Sequence, residues 1–347
     1  MKKLPLFLLF LAIISCVHRE KHPILSETSE HFDSLSVIAQ RVTAIELDSH
    51  TPCILTEINQ VKTDPSNIFF RSGNDIYRFD HTGSFCNKIS VEHPAHIFKY
   101  TINAENQQVV LLDSLSLIHY YAYDGTLLFT KDVETTFAGQ TILDMAYHDR
   151  FLWIVTQKVA ENNAIEKWLY KFDLAFEQLE AAVLAPPDLG RFFLDGSFTS
   201  DLYVADNKVC VYSPFSFKET LLQDTLYLLS SRQLEQDQIF PHKDRADFPA
   251  YSIPYFVGKR YLMASYQTNA SERANYLFCF DKKTGKSFSM NGFKDDFFHT
   301  GIVKDLLPFD LQKQEYYFCK SGEELSTSFP ERDANANPVL FVVRLNG

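Results

Sequence analysis

The sequence predicts an all-β fold: a six-bladed β-propeller of four-stranded antiparallel blades, closed by pairing of its N- and C-terminal strands. Three observations predict it. An aromatic or apolar strand that runs into a turn recurs at Tyr77, Tyr121, Tyr170, Tyr227, Phe278 and Val343, with spacings of 44, 49, 57, 51 and 65 residues. Repeats of about 53 residues built from strands have the length of a propeller blade, and each needs its neighbours to bury its faces. No long amphipathic helix competes. The best candidate, residues 164–181, is broken by Trp168-Leu169-Tyr170-Lys171-Phe172-Asp173, whose alternation is that of a strand. Finally, residues 42–47 and 339–345 are strand-like runs at the two ends, and a ring left open would expose a sheet edge.

The amino terminus reads as an address. Lys2 and Lys3 precede an apolar run over residues 4–14, followed by Ser15 and Cys16. A short greasy segment behind a positive start and ahead of a small residue is an export signal, and it is shorter than the roughly 20 residues a membrane span requires. Ile13-Ile14-Ser15-Cys16 resembles a lipobox, which makes Cys16 the expected lipid attachment point. With acyl chains contributing about 0.8 kcal/mol per buried methylene, such an anchor holds firmly. The expected organisation is a signal peptide over 1–15, a polar tether over 16–36 and the propeller over 37–347.

The first clear unit spans residues 67–85. Strand-like runs flank the turn Ser72-Gly73-Asn74-Asp75, and a second turn, Asp80-His81-Thr82-Gly83, leads to another short run. Its tail recurs as Tyr121-Ala122-Tyr123-Asp124-Gly125, Tyr170-Lys171-Phe172-Asp173 and Phe278-Cys279-Phe280-Asp281. The aspartates that end these strands are expected to serve turns rather than ligands, because their side chains bond nearby backbone. Only 12 glycines occur in the chain, so Asp and Asn carry part of the turn chemistry. Cys53, Cys86, Cys210, Cys279 and Cys319 form an odd set without tight spacing and read as structural rather than as a disulfide framework.

Charge excludes one class of partner. The chain has 33 Lys and Arg against 44 Asp and Glu, a formal net charge of −11, and no basic cluster. Nucleic-acid binding rests on neutralised phosphates and is not expected. No Gly-x-Ser-x-Gly, phosphate-cradling loop or His-Glu-x-x-His is present. Propeller enzymes gather their groups from several blades, so this does not exclude catalysis.

The lipobox leader, Ile45-Glu46-Leu47, Asp75-Ile76-Tyr77-Arg78-Phe79-Asp80, Asp224-Thr225-Leu226-Tyr227 and the ending Asn337-Pro338-Val339-Leu340-Phe341 together resemble the six-bladed β-propeller lipoproteins of Bacteroidetes, the TolB-like or NHL-like group. That resemblance covers nearly the whole mature chain and implies an envelope address and a six-bladed ring. It fixes no reaction and no catalytic residues. Here Val91-Glu92-His93-Pro94-Ala95-His96 stands where many members have a glycine-richer stretch.

Candidate binding residues lie in two irregular stretches. Residues 230–253 read as a long connection interrupting the repeat, with Arg232, His242, Arg245, Asp247 and Tyr251 in either a solvated loop or a lid over one channel mouth. The stretch 294–305 brings His299 and the adjacent acids Asp295 and Asp296, a pair suited to a cation or simply to solvent. His93-Pro94-Ala95-His96 spaces two imidazoles by three, but the proline blocks the helix such ligand pairs usually need, so a surface loop is expected. Ligand-binding residues are therefore expected at His242, Arg245, Asp247 and His299, with no metal, no cofactor and no assigned catalytic residue. The function these features support is a lipid-anchored, non-enzymatic binding or scaffold module. It would be a monomer holding an envelope protein, peptide or glycan, with the outer membrane as its expected address. The alternative is a propeller-type hydrolase or lyase with a divalent cation in the channel.

Overall fold

A computed structural model describes residues 34–347 apart from 51, 56, 93–94, 160–164, 184–201, 206–207, 216–222, 231–232, 242–250, 253–255, 258–259, 268–274 and 334. After a 3-10 turn at Leu35–Val37 comes strand β1 (Ala39–Glu46). Blade 1 is β2 (Asn59–Thr63), β3 (Asn67–Ser72), β4 (Asp75–Asp80) and β5 (Phe85–Ser90); blade 2 is β6 (Ile97–Asn103), β7 (Gln108–Asp113), β8 (Leu117–Ala122) and β9 (Leu127–Asp132). Blade 3 is β10 (Thr141–His148), β11 (Phe151–Val159), β12 (Ile165–Phe172) and β13 (Gln178–Val183); blade 4 is β14 (Leu202–Ala205), β15 (Lys208–Phe215), β16 (Gln223–Ser230) and β17 (Gln233–Pro241). In blade 5, β18 (Tyr251–Ser252) and β19 (Phe256–Val257) both pair with β20 (Tyr261–Gln267), which is followed by β21 (Asn275–Asp281) and β22 (Lys286–Met290). A small ribbon, β23 (Phe293–Lys294) and β24 (Ile302–Val303), leads into β25 (Leu307–Asp310), β26 (Glu315–Lys320) and β27 (Val339–Leu345).

The last sheet has the order β25-β26-β27-β1, so the first strand is the outermost strand of blade 6. β1 and β27 run antiparallel, with Val42 opposite Val343 and Glu46 opposite Val339. The first and last described strands are thus built into one blade, as the apolar runs over 42–47 and 339–345 predict. All six repeat positions, Tyr77, Tyr121, Tyr170, Tyr227, Phe278 and Val343, fall on the third strand of their blade.

The core lies between blades. Along β7 the neighbours Val110 and Leu112 join a cluster with Ile142, Met145 and Ile154 of blade 3, while Val109 and Leu111 join one with Phe69, Ile76 and Ile89 of blade 1. Successive side chains leave a strand on opposite faces. A strand buried on both faces therefore reads as a continuous apolar run rather than an alternating one. The same division holds for β27. Val339, Phe341 and Val343 pack toward blade 5, and Leu340 and Val342 toward Phe70, Tyr77 and Phe79 of blade 1. Phe341, fully buried, stacks on Phe318 at 4.8 Å. Each aromatic ring buried in this way contributes about 2–3 kcal/mol. A further cluster joins Trp153 and Val155 to Leu202, Val209 and Val211 of blade 4, and Cys210 joins blade 4 to the blade 5 and blade 6 cluster. Apolar packing is therefore continuous around the ring.

The strand-ending aspartates do serve turns. Asp80 accepts from Thr82 and Ser84, Asp124 from Thr126, Asp173 from Ala175 and Glu177, and Asp281 from Lys283. One expectation needs correction. The stretch 230–253 is not a loop throughout, because Gln233–Pro241 is the outermost strand of blade 4. Its polar composition, Gln-Leu-Glu-Gln-Asp-Gln, disguises it, since a strand paired on one edge only carries little of the apolar pattern that marks inner strands. Toward the other end of the chain, Leu35 is fully buried and Ser36 bonds Asp296, so these two residues of the expected tether pack against the ring.

Candidate functional site

The innermost strands β25, β2, β6, β10 and β14 lie against one another in that order, and polar bonds tie each neighbouring pair. The Thr63 hydroxyl donates to the Phe309 carbonyl at 3.2 Å, joining β2 to β25. The Tyr100 hydroxyl donates to the Gln60 carbonyl, joining β6 to β2. Thr101 Oγ1 accepts from the Tyr147 N–H at 3.0 Å, and Asp144 Oδ2 accepts from the Leu202 N–H at 2.8 Å, carrying the wall on through β10 to β14. Such bonds satisfy polar atoms that the ring would otherwise bury unpaired.

At the end toward which these strands run, their last residues and the following turns enclose a cavity of about 460 Å³. Five blades line it. Ile102, Ala146, Leu202, Val204 and Phe309 supply apolar wall, Thr101 and Tyr147 also line it, and Lys62, Asp64, Asp310 and Lys313 bring charged groups. Its acids are committed to local bonds: Asp64 Oδ1 accepts from the Ser66 and Asn67 N–H groups, both at 2.7 Å, and Asp310 pairs with Lys313 at 2.7 Å while accepting from Gln312. The Lys313 bond to Asp310 raises the lysine pKa. The Tyr147 hydroxyl is itself buried, and that burial, helped by the negative charge of Glu105, pushes its pKa up to about 12. A largely apolar hollow with a few polar groups is the general form of a binding site, and its volume falls in the usual range.

Of the residues the sequence singles out, His299 is described and lies on the surface in a left-handed backbone conformation, φ 58°. It is not part of the cavity. Cys16, His242, Arg245 and Asp247 lie outside the described residues, as do Arg232, His93 and Pro94. The two adjacent acids near His299 have separate tasks. Asp295, almost fully buried, accepts from the N–H groups of Phe297, Phe298 and Thr300 and from the Thr300 hydroxyl. Asp296 accepts the Ser36 N–H at 3.0 Å and hydroxyl at 2.5 Å, docking the start of the fold onto the β23–β24 ribbon. Burial raises its pKa, but the Ser36 bonds and His299 prevail and hold it below the ordinary carboxylate range. Among the described residues no group of three or more His, Cys, Asp and Glu is placed to hold a metal ion.

The cavity residues carry no sequence signature. Lys62, Thr101, Tyr147 and Asp310 stand 39 or more residues apart and meet only because equivalent strand ends from different blades converge on one axis. What the sequence does offer is the repeat itself, which locates the first strand of each blade ahead of each aromatic third strand.

No known family profile matches the sequence, and no characterised protein aligns with it significantly. The fold does have solved counterparts. A Bacteroides fragilis protein described as exported superposes with a TM-score of 0.67 at 14% identity, covering 94% of this chain and 100% of that one. The β-propeller domain of the Trilobed protease from Pyrococcus furiosus overlaps at 0.40 and 12% identity, over 76% of this chain and 78% of that one. BamB from Moraxella catarrhalis overlaps at 0.36 and 12% identity, over 80% and 69%. The latter two overlap too loosely to inform the site. Among the described residues no helix is long and apolar enough to cross a membrane.

Proposed function

We propose that this protein is a lipid-anchored binding module of the bacterial cell envelope, tethered through Cys16 and engaging an envelope polypeptide at the axial cavity. The observation that carries the binding role is the hollow of about 460 Å³ at one end of the axis, built from five blades. Its acids are tied up in turns and its walls are mostly apolar, which suits an inserted loop with an apolar body and a polar tip better than a highly charged ligand. The envelope address rests on the leader ending in Ile13-Ile14-Ser15-Cys16, and the likeness to an exported Bacteroides protein is consistent with it. The resemblance to Bacteroidetes propeller lipoproteins favours the outer membrane, and the pairing of β1 with β27 within a single chain suits a monomer.

Two substitutions test this reading. Ala104 lies on the cavity rim and is exposed, so Ala104→Trp fills the mouth without disturbing the core. Cross-linking in intact cells is expected to recover one defined partner with the native protein and to lose it with Ala104→Trp. Equal recovery from both would overturn the cavity as the binding site. Cys16→Ser is expected to move the protein from the membrane fraction to the soluble envelope fraction, and unchanged membrane association would refute the anchor.

A further inference from the structure

On the outer part of blade 2, away from the axis, three side chains form a continuous chain. Asp113, at the end of β7, is nearly fully buried, and its Oδ1 accepts the N–H groups of Leu115 and Leu117, each at 2.9 Å. Its Oδ2 lies 2.9 Å from Nε2 of His119 on β8. Nδ1 of the same ring lies 3.0 Å from the hydroxyl of Thr130, which sits directly opposite on β9. His119 is 9% exposed, whereas Thr130 is open to solvent on an outermost strand whose six residues are all exposed.

The bonds fix the direction of the chain. An ionised carboxylate that already takes two backbone N–H groups can only accept, so His119 carries its proton on Nε2. Nδ1 is then left as an acceptor, and the Thr130 hydroxyl donates to it. A hydroxyl facing solvent, an imidazole base within hydrogen-bond reach and a buried acid that sets the base's tautomer are the parts of an activated nucleophile. Beside Thr130, Leu127 and Leu128 are 50% and 46% exposed, an apolar surface next to the hydroxyl.

We propose that Thr130, His119 and Asp113 form an acyl-transfer site on blade 2, taking carboxylic esters with an apolar acyl chain. Thr130 Oγ attacks the ester carbonyl carbon while its proton passes to His119 Nδ1. The carbonyl carbon to alkoxy oxygen bond breaks, and the departing alcohol takes the proton from His119, leaving acyl-Thr130. Water, deprotonated by the same nitrogen, then releases the acid and restores the hydroxyl. Asp113 is the positioning residue: it touches no substrate and holds the imidazole in the tautomer the step requires.

The test uses the full-length Cys16→Ser protein with p-nitrophenyl butyrate, following nitrophenolate release and locating the butyryl group by peptide mass spectrometry. The expected result is a butyryl adduct on Thr130, kept by Thr130→Ser and absent from Thr130→Val, with release falling at least tenfold in the valine variant. Thr130→Val keeps the shape of an exposed side chain but leaves His119 Nδ1 without its donor, so its thermal midpoint is expected about 2–6 °C below the parent, with the protein still folded under the assay conditions. The parent's rate is expected to depend on pH through a single transition, and Asp113→Asn is expected to displace that profile. No adduct on Thr130, butyrylation confined to lysines, or release unchanged in Thr130→Val would each overturn the proposal and leave the three residues as a structural pin between strands.

Discussion

Replacing Asn337 with alanine takes apart the seam that holds the first strand in the last blade. Asn337, 3% exposed, sits just before β27, and its carboxamide serves the connection between β1 and β2. Its Oδ1 accepts the Leu55 N–H at 2.7 Å, and its Nδ2 donates to the Cys53 carbonyl at 2.5 Å and to the Asp48 carbonyl. Truncation leaves one donor and two acceptors of the main chain without their partner. At about 1–3 kcal/mol for each buried group so orphaned, with some relief from entering water, the loss is about 3–5 kcal/mol. A chain of this size shifts its midpoint by about 2 °C per kcal/mol, so thermal unfolding is expected some 6–10 °C lower. Differential scanning calorimetry at one fixed scan rate measures it, with the exposed neighbour Asn335→Ala as a control expected within 1 °C. A midpoint for Asn337→Ala equal to the control would refute the reasoning.

Other consequences follow from the same geometry. Gly83 has φ +93°, and a Cβ there would lie 2.0 Å from the Glu46 carbonyl oxygen. Gly73 has φ +58° and open space around it. Gly83→Ala is therefore expected to cost at least about 3 kcal/mol in chemical denaturation and Gly73→Ala about 1 kcal/mol; equal losses would contradict the close approach of β1 to blade 1. Burial pushes the Asp281 carboxyl up, but the Arg260 guanidinium, the Lys283 N–H and Thr284 more than offset it and hold its pKa below the ordinary range. That contribution to stability is present above about pH 4 and is lost as pH falls through the depressed value, so Asp281→Asn is expected to flatten the acid limb of stability against pH; an unchanged slope would count against it. Cys86 is exposed, whereas Cys53, Cys210 and Cys279 are buried and burial pushes the Cys319 thiol up to about 12. In the native Cys16→Ser protein, an Ellman titration at pH 8 is expected to find one fast thiol, lost in Cys86→Ser, with the rest released by guanidinium; several fast thiols would refute the burial.

Much of the ring was legible because four of its third strands are marked twice, by an aromatic face and by an aspartate at or just past the end that makes the next turn. Tyr77, Tyr121 and Tyr170 lie on equivalent strands for this physical reason. The outer strands were not legible to the same degree. Gln233–Pro241 and Leu127–Asp132, the latter exposed at every position, are each paired along one edge only, a place where the sequence need not be a continuous apolar run. The axial cavity was not legible at all, since it is assembled from single residues at five strand ends. His299 drew notice beside two acids, yet those acids are spent on the Thr300 turn and on Ser36, bonds between residues five and 260 positions apart. His119 gave no signal either, because its partners Asp113 and Thr130 are brought to it by strand register and not by a fixed motif.

The most direct test of the architecture is a covalent link across its seam. Arg41 on β1 stands opposite Arg344 on β27, both exposed. With cysteines at both positions in a Cys86→Ser background, mild oxidation is expected to give an intramolecular disulfide between residues 41 and 344 and a higher unfolding midpoint than the reduced form. Free thiols after oxidation, or disulfides formed only between molecules, would mean that the first strand does not complete the last blade.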